Sequence, residues 1–193
     1  MKHFLSHLTL SSRVDNHSNP EKMVKVVFKQ LETMTSRKID TVLFDSDIDN
    51  AAKNCNFCET IVGRSNLLFV VITTEHLIFG GYKDLKVEKN EAWLTDPNAF
   101  LFKVIEGPNP KTTQVEKYPI NPLKATKAFY LYENDYDVMF SFGFGLDLCI
   151  CKTNSGIRYH TRCKQDTYVC PAENTMCGKE KFEWERVIVI QMM

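Results

Sequence analysis

The chain has no apolar run approaching the roughly 20 residues that cross a bilayer, so a membrane-spanning helix is not expected. The first ten residues, 1–10, are interrupted by His3, Ser6 and His7 and lack the continuous apolar stretch of a signal peptide. Charge of one sign is not in excess either. Lys plus Arg equals Asp plus Glu, 24 each, which argues against non-specific coating of nucleic acid or anionic membrane, because that needs clustered positive charge. An even cysteine count is missing as well. Seven cysteines in 193 residues disfavour a fully paired secreted framework, and a chain of this length folds without staples. The expected compartment is therefore reducing, cytosol or nucleus. Internal repeats and low-complexity tracts are absent, and a 44% hydrophobic fraction is that of a folded chain.

What is present begins with a polar stretch, residues 1–18, expected to be a mobile arm. A helix is expected over 19–38. Ser18 or Asn19 can cap it, Pro20 suits its first position, and Val27, Leu31 and Met34 recur at helical spacing. Two readings stay open for this helix: packed on the domain, or paired with a partner. From residue 39 to 193 short β-like runs dominate, at 39–45, 67–72, 75–79, 99–105, 128–132, 138–142, 147–152, 158–164 and 186–192. Turn residues such as Gly107-Pro108-Asn109-Pro110 and Asn154-Ser155-Gly156 divide them. Gly80 and Gly81 read as a break after the strand at 75–79, and residues 47–58 read as a helix. The pattern predicts an α+β, mainly β fold: a two-sheet antiparallel β-sandwich with flanking helices.

Chemistry has little to build with. Asp45-Ser46-Asp47 at a strand end has the D-x-D order of a phosphoryl-transfer nucleophile and acid. Asp49 stands where Thr or Val would follow, and no later acidic metal motif appears. Cys55-x-x-Cys58 can open a zinc site only if Cys163, Cys170 or Cys177 completes it with His160, and the later cysteines form no tight pair. A redox dithiol would need a stabilised thiolate, and only Lys53 and Arg64 lie nearby. Ordinary buried thiols are the expectation, with redox or metal roles left open for Cys55 and Cys58. No Gly-x-Ser-x-Gly elbow is present. Gly143-Phe144-Gly145 precedes a strand-like run rather than a helix, so it reads as a turn and not as a phosphate loop. No catalytic residue, metal or cofactor is expected. Arg158, His160, Arg162 and Lys164 alternate with less charged residues and would line one face of a strand. They are the candidate interaction surface, for an acidic protein or a phosphate backbone.

The C-terminal pattern resembles the TLDc domain family. Leu77–Tyr82, with Phe79, Gly80 and Tyr82, is similar to its FGxY/F segment, and Trp93 falls where the family has its tryptophan. Asn98–Phe102 resembles its FLF strand, and Phe142–Leu148, with Gly143 and Gly145, its glycine-rich stretch. Cys170–Asn174 and Phe182–Val189 resemble its terminal pattern. The glycine cluster is reduced, and Val187–Gln191 replaces a Glu-x-Trp ending, which marks a divergent member. The resemblance implies a β-sandwich over 39–193 without cofactor or catalytic residues. It also implies a non-catalytic, protein-binding regulator tied to oxidative stress, with the vacuolar proton-pumping ATPase (V-ATPase) as one partner class. The alternatives are a stress-responsive DNA-binding or transcription-linked factor and a thiol-based antioxidant or D-x-D phosphatase. Nucleic acid is the weaker partner class, and neither membrane insertion nor a small-molecule substrate is expected.

Overall fold

A computed structural model describes residues 20–49, 51, 56–153 and 166–193. Helix α1, Pro20–Thr35, leads into β1, Ile39–Asp45, and a short helix α2, Phe57–Ile61. There follow β2 (Leu67–Thr73), β3 (Ile78–Lys83), β4 (Trp93–Leu94), β5 (Phe100–Ile105) and β6 (Gln114–Pro119). A 3-10 turn, Pro122–Lys127, precedes β7 (Phe129–Leu131), β8 (Val138–Phe142), β9 (Leu148–Cys151) and β10 (Trp184–Met192). The described strands form two antiparallel sheets: a six-stranded sheet in the order β1-β10-β2-β3-β5-β6 and a four-stranded sheet in the order β4-β7-β8-β9. The mainly β sandwich expected from the sequence is the fold observed.

The larger sheet is covered on both faces. Side chains alternate across a strand, so β2 sends Phe69 and Val71 toward the smaller sheet and Leu68 and Val70 toward α1. This double burial explains why every residue of β2 is buried and apolar or nearly so. In α1, Val24, Val27 and Leu31 are buried against Leu68, Phe102, Val115 and Ile190, with Phe28 and Met34 packed at the margin. Gln30 ties the helix to β6, donating to the Thr113 carbonyl at 2.9 Å and accepting from the Val115 amide at 2.9 Å.

Between the sheets lies a phenylalanine cluster. The Phe69 ring sits 4.6 Å from Phe140, 5.2 Å from Phe129 and 5.5 Å from Phe142, centroid to centroid. All four rings are buried, each contributing about 1.5–3 kcal/mol of transfer energy. Edge-to-face contacts such as Phe129 with Phe142 add to this.

Gly80 and Gly81 do not break the pattern; they are interior residues of β3, which runs Ile78–Lys83 rather than ending at 79. Both serve close approach. A Cβ on Gly80 would stand 1.9 Å from the Phe69 carbonyl oxygen, and one on Gly81 would stand 2.6–2.8 Å from the Phe142 ring. His76, read from sequence as a strand residue, has φ 62° in the turn before β3. The helix expected over 47–58 is also corrected. Residues 46–48 form a turn, closed where the Ile48 and Asp49 amides donate to the Asp45 carbonyl, and the described helix begins only at Phe57. Asp-rich segments satisfy their own backbone locally and so favour turns over helix interiors; here Asp49 and Asp45 accept from the Asp45 and Asp47 amides.

Gly80→Ala is expected to cost about 3 kcal/mol or more, because backbone cannot yield as a side chain does. Gly178→Ala, at φ +74° with open space around it, should cost only about 1–2 kcal/mol of backbone strain. Urea denaturation of both variants measures the difference; equal costs would refute the close-approach role of Gly80.

Candidate functional site

The outer face of the smaller sheet is built from the residues that alternate with its core. In β7, Phe129 and Leu131 are buried, so Tyr130 points the other way, and Tyr132 follows two residues on. Trp93 of the edge strand β4 pairs directly with Tyr130, placing both side chains on one face. The rings form a continuous ladder. Phe144 lies 5.8 Å from Trp93, Trp93 5.1 Å from Tyr130, Tyr130 4.7 Å from Tyr132, and Tyr132 6.0 Å from Tyr136. Phe144 is 65% exposed and Tyr136 49% exposed, with the three rings between them half-buried.

Charge is polarised along this ladder. Asn121 caps the 3-10 turn by accepting from the Leu123 amide, and Pro122 starts it. Its last residue, Lys127, then sits 5.3 Å from the Trp93 ring centre and 5.6 Å from that of Phe144, a cation over two aromatic faces. Toward the other end, burial and then the charges of Glu91 and Glu133 push the Tyr130 hydroxyl above its usual pKa.

The turn that carries Phe144 is held rigidly. Gly143 adopts φ +79°, and a Cβ there would meet the Asp147 carboxylate at 2.2 Å. Buried Asp147 Oδ2 accepts from the Thr167 and Tyr168 amides at 2.7 and 2.9 Å. The Phe144 amide donates to Thr167 Oγ1 at 3.0 Å. Burial raises the pKa of Asp147 in spite of these donors.

A concavity of about 330 Å³ lies between the end of α1 and strands β3, β5 and β6. Arg37 Nε donates to the Tyr82 hydroxyl at 3.0 Å, and Arg37 Nη2 and Tyr82 both donate to Asp84 Oδ1, at 3.1 and 3.0 Å. Asn98 Nδ2 reaches Asp84 Oδ2 at 3.0 Å. Burial opposes the Asp84 charge, but hydrogen bonds from Asn98, Tyr82 and Arg37 outweigh it and hold the carboxyl below its usual range. Burial and then Asp84 raise the Tyr82 hydroxyl well above its usual pKa. The cleft is lined by groups already satisfied by one another.

The sequence model of the TLDc domain matches residues 13–189. The chain belongs to the TLDc domain family. Comparison with curated proteins returns no match to the chain.

The TLDc motif residues divide between the two sheets. Phe79 is a core residue, edge-on to Phe182 at 4.9 Å, and Tyr82 lies on the opposite face of β3 with its hydroxyl in the cleft. Trp93 meets the Gly143–Gly145 turn through Phe144, so these three motif positions do converge. The basic stripe Arg158, His160, Arg162 and Lys164 lies outside the described residues, as do Cys55, Cys163 and the arm at 1–18. Burial, followed by Glu59, pushes the Cys58 thiol above its usual pKa, away from thiolate. Asp45 lies buried in a two-point ion pair with Arg186, Nε to Oδ1 at 2.8 Å and Nη2 to Oδ2 at 2.5 Å. That pair joins β1 to β10. Among the described residues, no three His, Cys, Asp or Glu side chains converge as metal ligands, and no helix is long and apolar enough to cross a membrane.

Two features went unread in the sequence. One is the ring ladder, whose Trp93–Tyr130 contact depends on a long-range strand pairing; the Tyr130/Tyr132 alternation was its one local signal. The other is Lys83, fully buried at the end of β3. Its Nζ donates to the Arg64 and Leu85 carbonyls, both at 2.7 Å. Burial lowers its pKa to about 7, against the pull of Asp96 and Asp84.

Between pH 7 and 10 the unfolded chain therefore binds a proton at Lys83 that the folded chain does not. Raising the pH through this window stabilises the fold, with the contribution smallest below about 7. Unfolding free energies at pH 7 and 9.5 are expected to rise for the native chain, relative to Lys83→Met, by on the order of 2–3 kcal/mol. A pH-independent difference between the two proteins would refute this.

Proposed function

We propose that this TLDc domain acts by binding a protein partner rather than by turning over a substrate. The observation that supports this reading most is the exposed aromatic ladder with Lys127 at its head. Exposed aromatic residues are the side chains that dominate protein interfaces. An apolar ladder with one half-exposed edge is more than scattered surface hydrophobicity. The Asp45 carboxylate, the strongest nucleophile candidate by sequence, is engaged by Arg186, which supports a binding role over a D-x-D phosphatase.

Within that role, family likeness supports a regulator in the oxidative-stress response whose partners include subunits of the vacuolar proton-pumping ATPase. This step rests on analogy, since folds host many functions. The compartment that fits it is the cytoplasm, with access to the nucleus.

Affinity purification of the tagged chain from its own cells, with and without peroxide and with nuclease treatment, tests the proposal. Co-purification of protein partners that survives nuclease, pump subunits among them, is the expected result. If a control TLDc protein recovers pump subunits and this chain does not, the pump assignment is wrong. Recovery of chromatin proteins alone, lost on nuclease treatment, would replace protein binding with the DNA-linked function.

A further inference from the structure

The ring ladder has a pitch, a polarity and a rigid mounting, and together they select a ligand. Its steps run 4.7–6.0 Å from ring to ring. A polyproline II chain has three residues per turn and rises about 3.1 Å per residue, so residues that share a face recur about every 9 Å, close to two steps of the ladder. The polyproline backbone makes no internal hydrogen bonds and leaves its carbonyls exposed. The hydroxyls of Tyr130 and Tyr136 are donors suited to those carbonyls.

Polarity narrows the choice further. Lys127 stands over Trp93 and Phe144 at one end, and its charge has no carboxylate partner among the described residues. Exposed Glu91, whose amide donates to the Leu131 carbonyl, and exposed Glu133, which follows Tyr132, lie toward the other end, and neither has an ion-pair partner among the described residues. A single-stranded nucleic acid stacks on aromatic rings but needs a positive groove along its backbone; two carboxylates beside the ladder repel phosphate. A neutral glycan fits ring spacing but makes no use of opposite charges at the two ends. A proline-rich peptide with a basic residue toward Tyr132 and Tyr136 matches both.

The mounting is rigid. Trp93 and Tyr130 are fixed by strand pairing, and Phe144 by the turn locked through Asp147 and Thr167. Preformed rings and a preformed ligand helix lower the ordering cost of association.

We propose that the Phe144–Trp93–Tyr130–Tyr132–Tyr136 ladder binds a proline-rich segment of a partner protein in the polyproline II conformation, with a basic ligand residue held by Glu91 and Glu133. This deepens the protein-binding role by naming the partner's chemistry, and it rests on that role.

The test titrates the full chain with decaproline peptides carrying one arginine at either end, and with glutamate in place of the arginine. Tryptophan fluorescence and calorimetry report binding. Saturable binding by one arginine peptide is expected, weakened about tenfold by Trp93→Ala and by Phe144→Ala, with the glutamate peptide weaker still. Phe144 is mostly exposed, so its replacement leaves the fold intact even where Trp93→Ala does not. Lys117→Ala, in the cleft, should leave affinity unchanged. No saturation at millimolar peptide, or undiminished affinity in a folded Phe144→Ala chain, overturns the proposal. So does binding of a cello-oligosaccharide or of oligothymidylate in the peptides' place. If the peptides fail but Phe144→Ala still loses the cellular partners that the native chain captures, the proline chemistry is wrong and protein binding stands. If the native chain captures no protein at all, the binding role itself falls.

Discussion

The seat of the Phe142 ring on Gly81 is the contact on which the two-sheet arrangement depends. Phe142 belongs to the smaller sheet and Gly81 to the larger one. The ring occupies the space a Cβ would fill, at 2.6–2.8 Å from the ideal Cβ position. Glycine in mid-strand ordinarily weakens a sheet. Here it lets one ring press against backbone, and the rings of Phe69, Phe129 and Phe140 close around it. Interiors pack at near-crystalline density, so such a cluster has little freedom to shift.

The outer surface follows from that inner packing. Strand residues alternate, so fixing Phe129 and Leu131 inward turns Tyr130 outward without further specification. The same constraint holds β7 beside β4 and brings Trp93 against Tyr130. Asp147 completes the face from within. It is a buried carboxylate bonded to two backbone amides, and it holds the exposed Phe144 turn against residues 166–168. Core, sheet edge and exposed rings are thus one mechanical unit. A domain built this way presents a preformed surface, which favours recognition of an equally preformed ligand.

Much of the fold was legible locally. The strands β1, β2, β5 and β8 carry apolar or alternating runs, and the chain folds them nearly where those runs predict. Pro20 and the spacing of Val27, Leu31 and Met34 mark α1 in the same way. What escaped local reading depended on long-range contacts. Gly80 and Gly81 look like punctuation until Phe69 and Phe142 arrive from elsewhere in the chain. β6 is polar at Gln114, Glu116 and Lys117 and ends in Pro119, as an edge strand can; α1 covers its Val115, and Tyr118 joins the core between the sheets. Lys83 carries no local signal of burial, yet the Arg64 and Leu85 carbonyls accept its Nζ inside the fold. The basic stripe at 158–164 was legible as a pattern, while the ladder that carries the functional proposal was not, because its rungs meet only through strand pairing.

The decisive claim is that this TLDc domain meets its partner on the outer face of the smaller sheet. Hydrogen–deuterium exchange on the full chain, alone and with a partner recovered from cells, tests it directly. Added protection should concentrate at β4, at β7 with residues 132–136, and in the 143–146 turn, and should leave the cleft around Arg37 and Asp84 unchanged. Protection centred on that cleft or on α1, with the ladder unaffected, would place the interface on the other side of the domain and end the aromatic-face assignment.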